Sequence, residues 1–295
     1  MQKIMSSIWC NNNAQEMAEF YTAAIPGVKQ GNKSYYGDFA PRCEQQIGAL
    51  MTFDIKVQDH EFMLLNAGDT YKPNPTISYY INCKKATEVD SIYAELSKGG
   101  KDLMPLDSYP FSERYAWIED KFGVSWQIIM VDMPQKVAPC LMFVGAQHGR
   151  AEEAIKFYTS IFANSSQDFL VNYPAESGEP PNTVMHASFT LDGQKFIAMD
   201  SAIKHEFESC QGNSLMVNCE DQKEVDYLWE KLLEGGEELQ CGWLKDKFGV
   251  SWQIVPESVR KLEHTGDQLR VDNVMKTLMT MKKLDEAALV AAYEE

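Results

Sequence analysis

Polar side chains repeat along one face of two predicted strands, and these residues are the ones best placed to do chemistry. In the strand Val184–Leu191, His186 and Ser188 alternate with apolar residues. In a later strand, Ser251 and Gln253 alternate with apolar residues in the same way. Successive side chains of a strand point to opposite faces, so each pair shares one face. A polar face on a central strand is either solvated or lines a cavity.

Each of these residues also has an ordinary structural interpretation. A lone histidine on a strand is more often a hydrogen-bonded structural residue than a ligand or a base. Gln253, and Gln127 earlier in the chain, could simply satisfy neighbouring backbone groups. Both interpretations stay open at this stage.

The elements that carry these residues occur twice. The nonapeptide DKFGVSWQI begins at Asp120 and again, unchanged, at Asp246. The segment Ala14–Thr22 is likewise similar to Ala151–Thr159. Such self-similarity indicates a duplicated structural unit. The second copy lacks about ten residues before its nonapeptide, where the first copy has a predicted loop over residues 106–114.

Each copy alternates between strand and helix patterns. The first copy has predicted strands over Ile4–Cys10, Ile47–Val57, Glu61–Leu65, Ile77–Cys83, Tyr115–Ile118 and Val124–Val131, and predicted helices over Ala14–Ala24 and Thr87–Ser97. In the second copy the hairpin turns at Asp192-Gly193, a dipeptide suited to positive φ angles. Each half is therefore itself a doubled unit, and the fold class is α+β.

A doubled unit of one strand, one helix and three strands that closes with Asp-x-x-Gly-x-x-x-(Glu or Gln) resembles the vicinal oxygen chelate superfamily, which includes glyoxalase I. The segments AEEAIKFYTSIF, MHASFTLDGQKFIAMD and WLKDKFGVSWQIVP resemble its PhnB-like branch, often labelled 3-demethylubiquinone-9 3-methyltransferase. The resemblance implies two tandem vicinal-oxygen-chelate domains, residues 1–136 and 137–258, each a pair of βαβββ units. A helical tail, residues 259–295, follows.

The resemblance also implies a cupped sheet that holds a divalent metal through His, Gln or Glu ligands. The positions that match these ligands are Gln127 and Gln253 in the closing strands, Ser6, Ser7, Cys140 and Leu141 in the opening strands, and Ser78 and Ser214 in the next strands. Serine hydroxyls are weak ligands, and uncharged glutamine does little to offset the cost of dehydrating the ion. We therefore expect no tight catalytic metal, with Gln127, Gln253 and His186 as weak candidates for a divalent ion.

The same cup is expected to bind a small molecule. In the superfamily the helices cover the outer face of the sheet, which implies that His186, Ser188 and Gln253 enter one cavity in the second half. Thr52 stands at the position of His186 in the first half. The expected ligand-binding residues are His186, Ser188, Gln253, Ser214, Gln127 and Ser78.

Composition and net charge argue against some classes of binding partner. The 295 residues include 43 acidic and 27 basic side chains, a formal net charge of −16, and 44% are hydrophobic. Such a charge repels phosphate backbones, so nucleic acid and anionic membrane are poor partners. No apolar run approaches 18 residues, and seven cysteines without a CxxC pair argue against disulfide or zinc frameworks. We expect a cytoplasmic protein, either a monomer with an intramolecular pseudo-dimer or a homodimer.

The function that fits best is a PhnB-like small-molecule-binding protein. The alternative is a metal-dependent lyase, isomerase or dioxygenase that acts on a substrate with vicinal oxygens, and a third is a scaffold. Whether the protein is an enzyme stays open. The methyltransferase label of the family is not supported by the sequence, which has no glycine-rich S-adenosylmethionine motif of the G-x-G-x-x-G kind.

Two further expectations concern assembly. A linker over residues 133–136 and a full set of eight strands per half predict that each half closes its own sheet. The tail carries apolar residues at helical spacing, which predicts that it packs on the body. These residues are Val274, Met275, Leu278, Met281, Leu284, Ala288, Leu289 and Ala292.

Overall fold

The computed structural model describes residues 2–133, 136–207, 209 and 211–295. The strands are β1 Ile4–Cys10, β2 Lys29–Tyr35, β3 Leu50–Val57, β4 His60–Asn66, β5 Ile77–Cys83, β6 Lys101–Tyr109, β7 Ser112–Glu119, β8 Ser125–Met130, β9 Val137–Phe143, β10 Ser166–Asn172, β11 Val184–Leu191, β12 Gln194–Asp200, β13 Asn213–Cys219, β14 Glu237–Glu238, β15 Trp243–Lys245 and β16 Ser251–Pro256. The α-helices are α1 Ala14–Ala24, α2 Ala86–Leu96, α3 Ala151–Ile161, α4 Gln222–Leu233, α5 Glu257–Leu262, α6 Gln268–Leu278 and α7 Glu286–Glu294. Among the described residues, no helix is both long and apolar enough to cross a lipid bilayer.

Local sequence patterns predict most of these elements. The bounds of β1, α1 and β11 are those expected from hydrophobic periodicity, and α2 is shifted by one residue. The hairpin turn at Asp192 and Gly193 has φ angles of 47° and 75°, as the dipeptide predicts. The prediction of a loop over residues 106–114 is wrong, because most of these residues form the end of β6 and the start of β7. The expected linker lies partly outside the described residues, since Pro134 and Gln135 are not among them.

The two halves exchange strands. One eight-stranded sheet, sheet A, has the order β14-β15-β16-β13-β1-β4-β3-β2, and the other, sheet B, has the order β10-β11-β12-β9-β5-β8-β7-β6. Sheet A therefore joins the first unit of the first half to the second unit of the second half. The expectation that each half closes its own sheet is wrong. The seams are antiparallel: β1 pairs with β13 and β5 with β9.

Each sheet has two distinct faces. One face of both sheets, together with α1 to α4, forms a single apolar core that includes Ile8, Tyr79 and Trp252. We call the opposite faces face A and face B. Face A carries Ser7, Thr52, Met63, Leu65, Ser214, Met216, Trp243, Gln253 and Val255. Face B carries Ser78, Tyr80, Tyr115, Trp117, Gln127, Ala138, Cys140, His186 and Ser188.

The repeated nonapeptide builds a buried carboxylate in each half. Asp120 is 3% exposed. Its Oδ1 accepts hydrogen bonds from the backbone amides of Phe122 and Val124, at 2.9 and 3.0 Å. Its Oδ2 accepts from the Tyr21 hydroxyl at 2.8 Å and from Trp126 Nε1 at 2.9 Å. Burial raises the pKa of Asp120 to about 6, although all four donors act to lower it.

Asp246 repeats this arrangement in the second half. Its carboxylate accepts from the amides of Phe248 and Val250, and from the side chains of Tyr158 and Trp252. Each aspartate thus joins a helix on one sheet to the loop before the closing strand of the other sheet. The identity of the nonapeptides therefore reflects a structural requirement.

The strand exchange predicts how the halves behave when separated. Residues 1–136 or 137–295 expressed alone should be unfolded or should form a homodimer. In such a homodimer, antiparallel seams like the one between β1 and β13 would form between the two copies. Co-expressed, the two fragments should form a 1:1 complex. Light scattering coupled to size-exclusion chromatography measures both outcomes. A well-folded monomer of either fragment would contradict the exchanged topology.

The buried aspartate predicts a stability loss on neutralisation. In Asp120→Asn the amide nitrogen meets side-chain donors, so about two charge-assisted hydrogen bonds are lost and the free energy of unfolding should fall by about 3 kcal/mol. Chemical denaturation measures the change. Asp192→Asn in the hairpin turn is the matched control, and it should change stability by less than about 0.5 kcal/mol. Equal effects of the two substitutions would argue against the role of the buried carboxylate.

Candidate functional site

A cavity lies between face A and the tail. Its volume is about 680 Å³. The strands contribute Trp9, Thr52, Met63, Leu65, Met216, Trp243, Gln253 and Val255, and the tail contributes Arg260, Glu263, Met275, Leu278, Met279 and Leu284. Most of these side chains are apolar, which is typical of a site for a small organic molecule.

The three tail helices cover face A. Val274, Leu278, Leu284 and Leu289 are buried, and they pack against Met216 and other residues of face A. The prediction that the tail packs on the body is confirmed. The apolar stripe of the tail thus forms one wall of the cavity.

Polar contacts fasten the tail at its edges. The carboxylate of Asp272 in α6 accepts a hydrogen bond from the backbone amide of Asp38 at 2.7 Å. A side-chain carbon at Gly37 would overlap this carboxylate, so only glycine allows the close approach. Lys276 in α6 also pairs with Asp38 at 2.6 Å. At the other end of the tail, the amide of Cys241 donates to the carbonyl of Met281 at 2.8 Å.

A buried arginine lies at the end of α5 beside the cavity. Arg260 is 3% exposed. Its Nη2 contacts both carboxylate oxygens of Asp54 at 3.0 Å, and its Nη1 contacts Glu263 at 2.7 Å. Burial acts to lower the pKa of Arg260, but Glu263 and Asp54 together raise it above its ordinary value. The charge of Arg260 is therefore balanced within the protein.

Gln253 and Ser214 meet on face A. Gln253 Nε2 donates a hydrogen bond to Ser214 Oγ at 2.9 Å. Gln253 lines the cavity, and no described residue donates a hydrogen bond to its Oε1. The glutamine therefore presents a hydrogen-bond acceptor in a mostly apolar cavity.

Gln127 and Ser78 make the same pair on face B, but there the protein fills the space. Gln127 Nε2 donates to Ser78 Oγ at 2.8 Å, and the Tyr115 hydroxyl donates to Gln127 Oε1. Tyr80 and Cys140 complete a buried cluster around Tyr115. Burial raises the pKa of Tyr115. Both the nitrogen and the oxygen of the Gln127 amide therefore have partners within the protein.

His186 and Ser188 lie on face B, on a different sheet from Gln253. The ring of His186 lies 5.9 Å from that of Tyr80 and 5.5 Å from that of Phe169. Burial lowers the pKa of His186. Ser188 Oγ donates to Asp168 at 3.1 Å. The expectation that His186, Ser188 and Gln253 share one cavity in the second half is wrong, because strand exchange places β11 in sheet B and β16 in sheet A.

Strand register explains why one face is open and the other is filled. Tyr80 pairs with Gln127 on β8, and Met216 pairs with Gln253 on β16, so Met216 takes the place of Tyr80. Tyr115 lies five residues before its nonapeptide, and the residue five before the second nonapeptide is Cys241. Two tyrosines on face B are thus replaced by smaller or more flexible side chains at face A.

The donor set does not fit the divalent metal that the superfamily implies. Within the described residues, no group of three or more His, Cys, Asp or Glu side chains is arranged to hold a metal ion. On face A the equivalent positions carry Ser7, Ser214 and Gln253, all of them uncharged. On face B the amide of Gln127 is already engaged by Tyr115 and Ser78. We therefore derive no chemical step through a metal.

Comparison with known families agrees with this fold. The family model described as 3-demethylubiquinone-9 3-methyltransferase matches residues 2–129 and again residues 135–255. The chain belongs to this family. Glyoxalase I from Zea mays is similar in fold, with a TM-score of 0.60 at 14% identity over 89% of this chain and 95% of that chain. The family match and the shared fold together place this family member in the vicinal oxygen chelate superfamily.

A relative that matches about half of this chain is also found. A putative 3-demethylubiquinone-9 3-methyltransferase, the PhnB protein from Bacillus cereus, is 30% identical over 44% of this chain and 100% of that chain, with a TM-score of 0.40. Among curated proteins, none matches the chain. The family thus shows what the chain is related to.

Sequence reasoning missed much of the cavity wall. Arg260, Met275 and Met279 come from the tail, whose apolar spacing predicts packing on the body and gives no sign of a binding site. Trp9 and Met216 are apolar strand residues that have no chemical signature of their own. A usable signal was the substitution of Cys241 for Tyr115 in the repeat, because it removes a large side chain from one copy alone.

The close approach at Gly37 predicts how the tail can be loosened. In Gly37→Ala the new methyl group displaces Asp272, and the free energy of unfolding should fall by about 1 to 3 kcal/mol. The melting temperature reports the loss, and truncation after Pro256 should lower it further. In an Asp272→Ala background the same Gly37→Ala substitution should cost much less, because the clash is gone. Additive effects of the two substitutions would show that Gly37 does not act through Asp272.

Proposed function

We propose that this protein binds an apolar or amphipathic small molecule in the cavity between face A and the tail. The observation that carries this proposal is the contrast between two equivalent faces. The same Gln–Ser pair is covered by tyrosines on face B and borders a cavity of about 680 Å³ on face A. A concave, mostly apolar surface with a few polar groups is the usual form of a small-molecule site, which supports a binding role for the open face.

The lining supports an organic ligand. Trp9, Tyr36, Phe39 and Trp243 supply aromatic surface, and the thioether of Met216 can adapt to irregular shapes. A few polar groups, Gln253 foremost, are available to orient the ligand. The cytoplasmic location and the lack of nucleic-acid or membrane partners stay predictions from composition and charge.

The metal-dependent enzyme is the weaker alternative. A catalytic divalent ion needs about three protein ligands of suitable charge, and face A offers two serines and a glutamine at the equivalent positions. A binding protein needs none of these ligands. The donor chemistry therefore favours binding over metal-assisted turnover.

Filling the cavity tests the proposal directly. N-phenyl-1-naphthylamine, an uncharged probe that fluoresces in apolar surroundings, should bind with one site per chain. Met216→Tyr places on face A the side chain that Tyr80 has on face B, and it should weaken binding at least tenfold because the ring occupies the probe's space. Cys241→Tyr is a second blocking variant.

The conservative variant Met216→Leu is the matched control and should bind the probe within about twofold of the wild type, because it changes volume little. Circular dichroism and the melting temperature establish that each variant is folded. Tight probe binding by a folded Met216→Tyr protein would contradict the assignment of the site to face A.

A further inference from the structure

We propose that the cavity on face A accepts an uncharged hydroxyaromatic molecule whose hydroxyl group donates a hydrogen bond to Oε1 of Gln253. This inference rests on the proposed function, because it names the ligand class of the same cavity. It starts from Tyr115, whose phenol ring occupies the corresponding position on face B. The contact between Tyr115 and Gln127 is therefore a model for the proposed contact between the ligand and Gln253.

The surroundings of the two glutamines are closely matched. Gln127 lies opposite Trp117 and beside Tyr80, and Gln253 lies opposite Trp243 and beside Met216. Both amides donate to a serine, at 2.8 Å on face B and 2.9 Å on face A. The two acceptor oxygens therefore lie in equivalent positions. Gln253 Oε1 faces the cavity on face A, and Gln127 Oε1 faces the side chains that fill the corresponding space on face B.

Only one of these oxygens has a donor within the described residues. The hydroxyl of Tyr115 donates to Gln127 Oε1, whereas Gln253 Oε1 receives no such bond. A ligand that covers Gln253 Oε1 and excludes water from it must itself supply a donor, because a buried acceptor without a partner costs free energy. A ligand hydroxyl in the position of the Tyr115 hydroxyl would supply that donor.

The walls of the cavity favour an aromatic ring next to that hydroxyl. Thioethers make favourable contacts with aromatic rings, and the indoles of Trp9 and Trp243 offer further ring surface. The methionines that line the cavity are Met51, Met63, Met216, Met275 and Met279. A volume of about 680 Å³ exceeds that of one phenol ring, so the cavity has room for a second ring or an apolar chain.

The charges around the cavity favour an uncharged ligand. The charged lining residues are Arg42, Glu44, Asp69, Arg260 and Glu263, an excess of one carboxylate. Arg260 is already paired with two carboxylates, and Arg42 is exposed. No buried lining residue in the described part of the chain is an unpaired cation, so a phenol suits the site better than an arene carboxylate or a phosphate ester.

The experiment compares p-cresol, which is the tyrosine side chain itself, with p-xylene, in which a methyl group replaces the hydroxyl. Protein labelled with ¹³C in its methionine methyl groups reports both the Kd and the location by NMR titration. Both probes should shift Met63, Met216 and Met279 at the cavity and leave Met104 and Met199 on face B unchanged. Gln253→Met should raise the Kd of p-cresol about fivefold and leave the Kd of p-xylene within about twofold, because only p-cresol loses a hydrogen bond.

Gln127→Met on face B is the matched control, and it should leave the Kd of both probes within about twofold. An equal effect of Gln253→Met on the two probes would overturn the hydroxyaromatic assignment, and so would the failure of p-cresol to bind a protein that binds N-phenyl-1-naphthylamine. Those results would leave the proposed binding function intact. Absence of binding by all three probes would instead count against the proposed function.

Discussion

The antiparallel seams between β1 and β13 and between β5 and β9 hold the molecule together, because each sheet takes four strands from each half of the chain. The seam sets the register of Ser7 opposite Ser214 and thereby the position of Gln253 on the next strand. The same seams enclose one apolar core under both sheets. The duplicated chain is therefore a pseudo-dimer formed within one molecule.

The buried aspartates reinforce this exchange. Asp120 precedes a strand of sheet B and binds Tyr21 of a helix that packs on sheet A, and Asp246 binds Tyr158 in the reverse sense. Such charge-assisted hydrogen bonds are stronger than neutral ones and are directional. They fix the sheets relative to each other, which in turn fixes the two outer faces on which function depends.

The two outer faces show how duplication allows one scaffold to do different things. On face B, Tyr80 and Tyr115 fill the space above Gln127, and that face contributes to stability. On face A the corresponding side chains are Met216 and Cys241, and the tail forms a wall of the space instead of filling it. The tail is fastened by charged contacts at its edges, while its methionines line the cavity, an arrangement that combines a firm wall with an adaptable surface.

Much of this molecule could be predicted from local sequence, and the reason is physical. Strand and helix periodicity, the Asp192-Gly193 turn and the apolar stripe of the tail depend on neighbouring residues, so β1, α1, β11 and the packing of the tail followed from them. The family followed from the doubled unit and from the segments that resemble its PhnB-like branch. Which strands share a sheet depends instead on contacts between residues more than 50 positions apart, such as Ser78 with Cys140 and Ser7 with Ser214. Local periodicity carries no information on that choice, so only the tertiary structure could separate His186 from Gln253 and decide which face stays open.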